Sequence, residues 1–203
     1  ALHDENEEIQ HHAADSLFGF YLRKKDYAKA EKYLDYFSEH DPMKSCYQGR
    51  LLQEQGKIKE AYEKYENVIL SGFSTLNFVL STMVGLALRE NDIGYARFLS
   101  GKVQAVAHTL EMGKYNEYSP MLDIVCAGKD VEGTYKVVKH LLDNVGTMYD
   151  FRKSGLYKHM KFRDIDEAIL DGVKEKLLEG FRNEEEFGYM VGYEPWEKLI
   201  FDR

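Results

Sequence analysis

KDYAKAEKYLDYFSEHDP, residues 25–42, returns 31 residues later as GKIKEAYEKYENVILSGF, residues 56–73. Both begin with a polar turn, then an apolar residue, then a small residue three positions on. Both continue with apolar or aromatic residues at offsets 7 and 10. Those offsets put the four positions on one face of a helix. Two further segments align on the same opening position, giving Tyr27, Ile58, Ile93 and Val131 at spacings of 31, 35 and 38. The small position then holds Ala30, Ala61, Ala96 and Thr134. Offset 7 holds Leu34, Tyr65, Ser100 and Val138, and offset 10 holds Phe37, Val68, Val103 and Leu141.

The small residue has a physical cause. Antiparallel helices approach closely only where a side chain is short, and a bulky one there overpacks the contact at a cost of about 1–3 kcal/mol. Each segment is preceded by a polar turn: RKKD, EQGK, REND or AGKD. Gly56 and Gly128 are expected to take the left-handed conformation that ends a helix, with Asn91 serving in the third turn. A partner helix is expected before each turn, in AADSLFGFYLR, SCYQGRLLQE, FVLSTMVGLALRE and YSPMLDIVCA. Gly49 and Gly85 lie inside two of these. An interior glycine costs roughly 1 kcal/mol against alanine, so close packing is expected at both.

Composition agrees with an all-α chain. Only three prolines occur in 203 residues, while 44% of residues are hydrophobic and 31% charged. The net charge of −8 makes the chain a poor polyanion binder as a whole. Cys46 and Cys126 are too few and too far apart for a disulfide framework or a thiolate metal site, which suits a reducing cytoplasm. No run of 18 uninterrupted apolar residues occurs, so no membrane partner is expected. Residues 1–10 read as a polar linker, expected to join a longer protein.

The repeated pattern resembles the tetratricopeptide repeat, a helix-turn-helix unit of about 34 residues. The first copy carries Leu17, Tyr21, Tyr27, Ala30, Leu34, Phe37 and a closing Pro42. The second keeps Gly49, Leu52, Gly56, Ala61 and Tyr65, with Phe73 where the family usually has proline. The later copies depart further: Val84 replaces the packing glycine of the third, and Thr134 replaces the alanine of the fourth. The resemblance implies four repeats over residues 11–146, stacked as a right-handed superhelix. Residues 147–203 would form a helical cap over the apolar end of the stack. In that cap a helix stripe runs through Ile165, Ile169, Val173, Leu177, Leu178 and Phe181, with Asp164 as its expected N-cap. Phe187, Tyr189, Trp196, Leu199 and Ile200 are its expected buried residues. The ending EEFGYMVGYEPWEKLI also resembles those of bacterial tetratricopeptide proteins, many of them C-terminal halves of Xre-type helix-turn-helix regulators.

No catalytic signature stands out. There is no GxSxG, phosphate loop, HExxH or EF-hand pattern, so neither enzyme, metal nor cofactor is expected. His11 and His12 are adjacent and diverge on a helix. His40, His108, His140 and His159 are scattered singly and read as surface or core-edge residues. The acidic runs DENEE and NEEEF read as solvated charge.

The resemblance instead implies a concave face lined by the first helix of each pair. Carried over, it gives Asp15, Gly19 and Arg23, then Arg50 and Gln53, then Phe78, Ser81 and Arg89, then Asn116, Ser119 and Asp123. Leu22, Cys46 and Gly85 lie beside them. Arg23, Arg50 and Arg89 would make a basic strip suited to an acidic or C-terminal carboxylate of a peptide. The alternative is internal pairing with Asp15, Glu54 or Glu90. The lysine- and asparagine-rich clamp of chaperone-binding repeats is not matched at Asp15, Gly19, Tyr47, Phe78 and Thr82. The expected function is peptide or protein binding, as the sensor or oligomerisation part of a bacterial transcription regulator without DNA contact of its own. A homodimerising scaffold with no ligand groove is the alternative.

Overall fold

A computed structural model describes residues 2, 6–39 and 41–201; His40 lies outside them. All regular structure among the described residues is helical. Helix α1 (Glu7–Arg23) is followed by α2 (Tyr27–Lys32), which tightens into a 3₁₀ turn at Tyr33–Tyr36. Next come α3 (Pro42–Glu54), α4 (Ile58–Arg89) and α5 (Ile93–Thr109). The short α6 (Lys114–Tyr118) leads through a 3₁₀ turn into α7 (Leu122–Ala127) and then α8 (Val131–Asp143). Three 3₁₀ turns precede α9 (Glu167–Phe181), α10 (Glu184–Phe187) and α11 (Glu194–Phe201). Asn6 caps α1, so residues 7–10 of the expected linker are helical.

Helices α2, α4, α5 and α8 start at Tyr27, Ile58, Ile93 and Val131, the four residues on which the repeats align. The turn before each is the same object. Lys25, Gly56, Asn91 and Lys129 are all left-handed, at φ 59, 77, 60 and 47°. The next residue in each turn donates its N–H to the carbonyl five positions back, at 2.9–3.0 Å: Asp26 to Tyr21, Lys57 to Leu52, Asp92 to Ala87 and Asp130 to Val125. This closes the preceding helix through its otherwise unpaired carbonyls. Asp26, Asp92 and Asp130 then cap the new helix through the N–H groups of Lys29, Tyr95 and Gly133. Gly128 itself has φ −79°. The left-handed residue stands two before the opening apolar residue in every copy, which puts that role on Lys129.

The face at offsets 3, 7 and 10 is inward. Ala30, Ala61, Ala96 and Thr134 are all buried, as are Leu34, Ser100 and Val138 and then Phe37, Val103 and Leu141. Tyr65 and Val68 are half-buried. The third pair departs from expectation. Its first helix does not start afresh, because α4 runs unbroken through residues 73–78. That stretch contains no proline and no left-handed residue, so nothing removes a hydrogen bond from the ladder.

Two compact units form, Ala1–Gly72 with Tyr157–Lys161, and Phe73–Leu156 with Phe162–Arg203; the division falls within α4. The core of the first unit joins Phe18 and Leu22 of α1 to Ala30, Leu34 and Leu51, with Tyr21, Tyr27, Tyr33 and Tyr47 around it. Tyr27 also donates its hydroxyl to Glu54 O at 2.7 Å, satisfying a terminal carbonyl of α3. Gly49 is packed as expected: a Cβ there would lie 2.8 Å from the Tyr65 ring. Gly85 is not, since a Cβ there would meet nothing within 4 Å.

In the second unit Val84 and Ala87 of α4 meet Ala96 and Leu99 of α5 and Ile124 of α7. A second cluster joins Val138 and Leu142 of α8 to Phe181, Phe187, Met190, Trp196 and Ile200, with Tyr189 and Leu199 partly buried against it. Arg182 holds the end of α11 by donating to Ile200 O at 3.1 and 2.8 Å. The cap of α9 is Asp166, not Asp164, because the helix starts two residues later than its apolar stripe. Of that stripe only Phe181 is buried, and Ile169 remains exposed.

Candidate interaction surface

In the first unit, Asp15, Gly19 and Arg23 share one face of α1, each four residues from the next. Gly19 leaves room for Arg23, whose Nη1 lies 3.4 Å from where a Cβ would be. Arg50 and Gln53 of α3 are exposed. Between them and α1 stands Tyr47, its ring packed at a tilt against Phe18 and Phe37. Burial, and then the Asp15 carboxylate beside it, push the Tyr47 hydroxyl up to about 12. Asp15 thus answers a tyrosine. Among the described residues, Arg23, Arg50 and Arg89 form no ion pair within 4.0 Å, so the internal pairing weighed above does not occur. Tyr65 lies beyond Arg50, its hydroxyl 3.5 Å from Gln53 Oε1. Burial raises its pKa, with Cys46 adding to the rise and Arg50 opposing it. A cavity of about 260 Å³ opens here, lined by Gln53, Ile58, Ala61, Tyr62 and Tyr65.

The same unit holds a polar contact that the sequence did not reveal. Glu66 of α4 is buried and its carboxylate collects three donors from the segment Tyr157–Lys161. His159 N and Met160 N donate to Oε2 at 2.9 and 3.1 Å, and His159 Nδ1 lies 2.5 Å from Oε1. The His159 ring stacks on Tyr62 at 4.4 Å, and Tyr157 is fully buried. The partners lie 93 and 94 residues apart. No spacing rule connects them, and a lone histidine in an irregular segment carries no signal.

In the second unit Phe78, Ser81 and Arg89 fall on one side of α4 with Gly85. Phe78 is 72% exposed. Leu76, Val79 and Leu86 are also exposed on α4, as are Tyr95 and Phe98 on α5. Asn116 and Ser119 are committed internally. Asn116 donates to Met112 O at 2.6 Å and Met148 O at 2.9 Å, and Ser119 donates to Asn116 O at 3.4 Å. Asp123 is exposed, but partial desolvation by the atoms packed around its carboxyl, reinforced by the like charge of Glu186, raises its pKa.

Cys46 and Cys126 are free and half-buried, and burial pushes the Cys126 thiol up. His11 stacks on Phe37, and His140 packs at a tilt against Tyr118. Among the described residues no three His, Cys, Asp or Glu side chains are grouped to hold a metal ion. Helix α4 is long and apolar enough to cross a membrane by length and composition. It has no charged residue between Glu66 and Arg89, but Asn, Ser, Thr and Gly interrupt the apolar residues there. No protein-family model, curated protein or solved structure matches the chain.

Proposed function

We propose that the chain is a non-catalytic protein-binding module whose helix pairs are tetratricopeptide-type units. It would serve in the cytoplasm as the sensor or oligomerisation part of a bacterial transcription regulator. The observation that carries the binding role is the exposed Arg23 and Arg50, without an ion pair among the described residues, with Tyr47 and Tyr65 near Arg50 and Gln53 bonded to Tyr65. Guanidinium groups with free donors next to rigid aromatic surface suit a peptide carrying carboxylates. The recurring turn and buried small residue support the repeat assignment.

Fluorescence anisotropy with labelled acidic peptides of random sequence tests the reading. Binding should be salt-sensitive, and Arg23→Glu with Arg50→Glu should abolish it while far-ultraviolet circular dichroism stays the same. Equal binding by wild type and variant would remove the arginines from the site.

A second reading is favoured by the exposed Leu76, Phe78, Val79 and Leu86, an uncharged helix face. It makes the chain a homodimerising scaffold joined through that face. Sedimentation should then show a dimer that Phe78→Glu with Leu86→Glu converts to monomer; a wild-type monomer at high concentration rejects it.

A further inference from the structure

The contact made by Tyr157–Lys161 is built as peptide recognition is built. An ionised carboxylate buried without donors is strongly unfavourable. Glu66 is 5% exposed, and both of its oxygens are engaged by one short segment. Two consecutive backbone N–H groups converge on Oε2, an arrangement set by the segment's backbone rather than its side chains. The side-chain share of the recognition falls to the imidazole, held between Oε1 and the Tyr62 ring, and to the buried Tyr157. The segment itself has little regular structure beyond the 3₁₀ turn Gly155–Tyr157, and residues 161–166 are irregular. Its Lys158 and Lys161 are exposed. Tyr62 is shared with the cavity of about 260 Å³ lined by Gln53, Ile58, Ala61 and Tyr65, so free space adjoins the occupied part of the site.

We propose that Tyr62 and Glu66 form a peptide-binding site that residues 157–161 fill in cis, and that a partner segment of the same chemistry displaces them. The partner presents an aromatic residue two positions before a histidine, with the histidine N–H and the next N–H turned to one side. An apolar residue entering the adjoining cavity gives it a contact that the resident segment lacks. That extra contact matters, because a tethered segment competes at an effective concentration of about millimolar. The cavity also borders the Arg50 face through Gln53 and Tyr65, but the contacts that hold residues 157–161 are made by Tyr62 and Glu66 and involve neither Arg23 nor Arg50.

The test uses the full chain and a fluorescein-labelled peptide GLYKHMKFR, the sequence of residues 155–163. His159→Ala weakens the resident segment, so this variant should bind the peptide at least about tenfold more tightly than wild type. Adding Glu66→Gln should remove that binding, and so should a peptide with alanine in place of its histidine. Equal affinity of wild type and His159→Ala, or binding that survives Glu66→Gln, overturns the proposal. Should His159→Ala fail to fold, hydrogen exchange on the wild type decides. Millimolar peptide should speed exchange at the amides of residues 157–161 and leave those of α1 unchanged; unchanged exchange at 157–161 overturns the proposal. Acidic-peptide binding through Arg23 and Arg50 should be the same in folded His159→Ala, which separates the two sites.

Discussion

Tyr189 and Thr134, 55 residues apart in sequence, share a hydrogen bond of 2.8 Å between their hydroxyls. Thr134 stands at the small position where the other three helix pairs carry alanine, and it is fully buried. The departure from alanine is therefore matched by a partner from the C-terminal segment. Burial pushes the Tyr189 hydroxyl up to about 12, so it remains neutral at ordinary pH. Thr134→Val keeps the shape and removes one partner, with an expected loss of about 1–3 kcal/mol. For a chain of this length that lowers Tm by roughly 2–4 °C per kcal/mol. Adding Tyr189→Phe should restore most of the loss, since neither hydroxyl is then left unpaired. Additive losses in thermal melts would show that the two do not act as a pair.

Gly49→Ala and Gly85→Ala should shift stability in opposite directions. At Gly49 the new methyl lies 2.8 Å from the Tyr65 ring, which must move and lose packing against α3. At Gly85 the methyl enters open space, and only the helix-propensity gain of about 1 kcal/mol remains. Denaturation midpoints of the two variants check this, and a loss at Gly85 would contradict it.

The aspartates that open α2, α5 and α8 should each matter by a similar amount. Asp26→Ala, Asp92→Ala and Asp130→Ala remove a side-chain acceptor from a helix start, costing about 1 kcal/mol each. Lys57 occupies the equivalent place before α4 and lacks an oxygen to offer, so Lys57→Ala should stay within about 0.5 kcal/mol of wild type. Urea titrations of the four variants give the comparison.

Asp123 supplies a pH test. In the folded state its pKa is held above the ordinary 3.8, first by partial desolvation of the surface carboxyl and then by Glu186. The folded chain therefore holds this proton more readily than the unfolded chain. The cost of ionising Asp123 sets in as pH rises past 3.8 and is complete above the raised value. Its contribution to stability falls over that window and is flat beyond it. Asp123→Asn should raise Tm at pH 7 and leave it nearly unchanged near pH 3. A variant less stable than wild type at pH 7 would mean that the ionised carboxylate is held by favourable contacts.

The helix pairs were legible because each start is written locally, in a polar turn, an opening apolar residue and a small residue three positions beyond it, with an aspartate closing the turn in three of the four. Ala30, Ala61 and Ala96 needed only their spacing to be placed inside. The continuity of α4 was less visible. Phe73 in place of proline marked a missing stop, but a missing stop does not say how far a helix runs. Asn116 looked available for a peptide because its amide is polar and its position matched. Its donors are used by Met112 and Met148, which no local pattern shows. Glu66 and His159 illustrate the same limit, since their pairing depends on chain return over 93 residues.

The unbroken course of α4 has a practical result for dissecting the protein. A division of the chain into repeat-sized fragments would cut near residues 73–78, between the second and third sequence repeats. That cut falls in mid-helix, exposing eight unpaired backbone groups and freeing Phe73, a buried side chain. Loop positions at Lys25, Asn91 and Lys129 are the sounder places to open the polypeptide, because the helices on either side already end there.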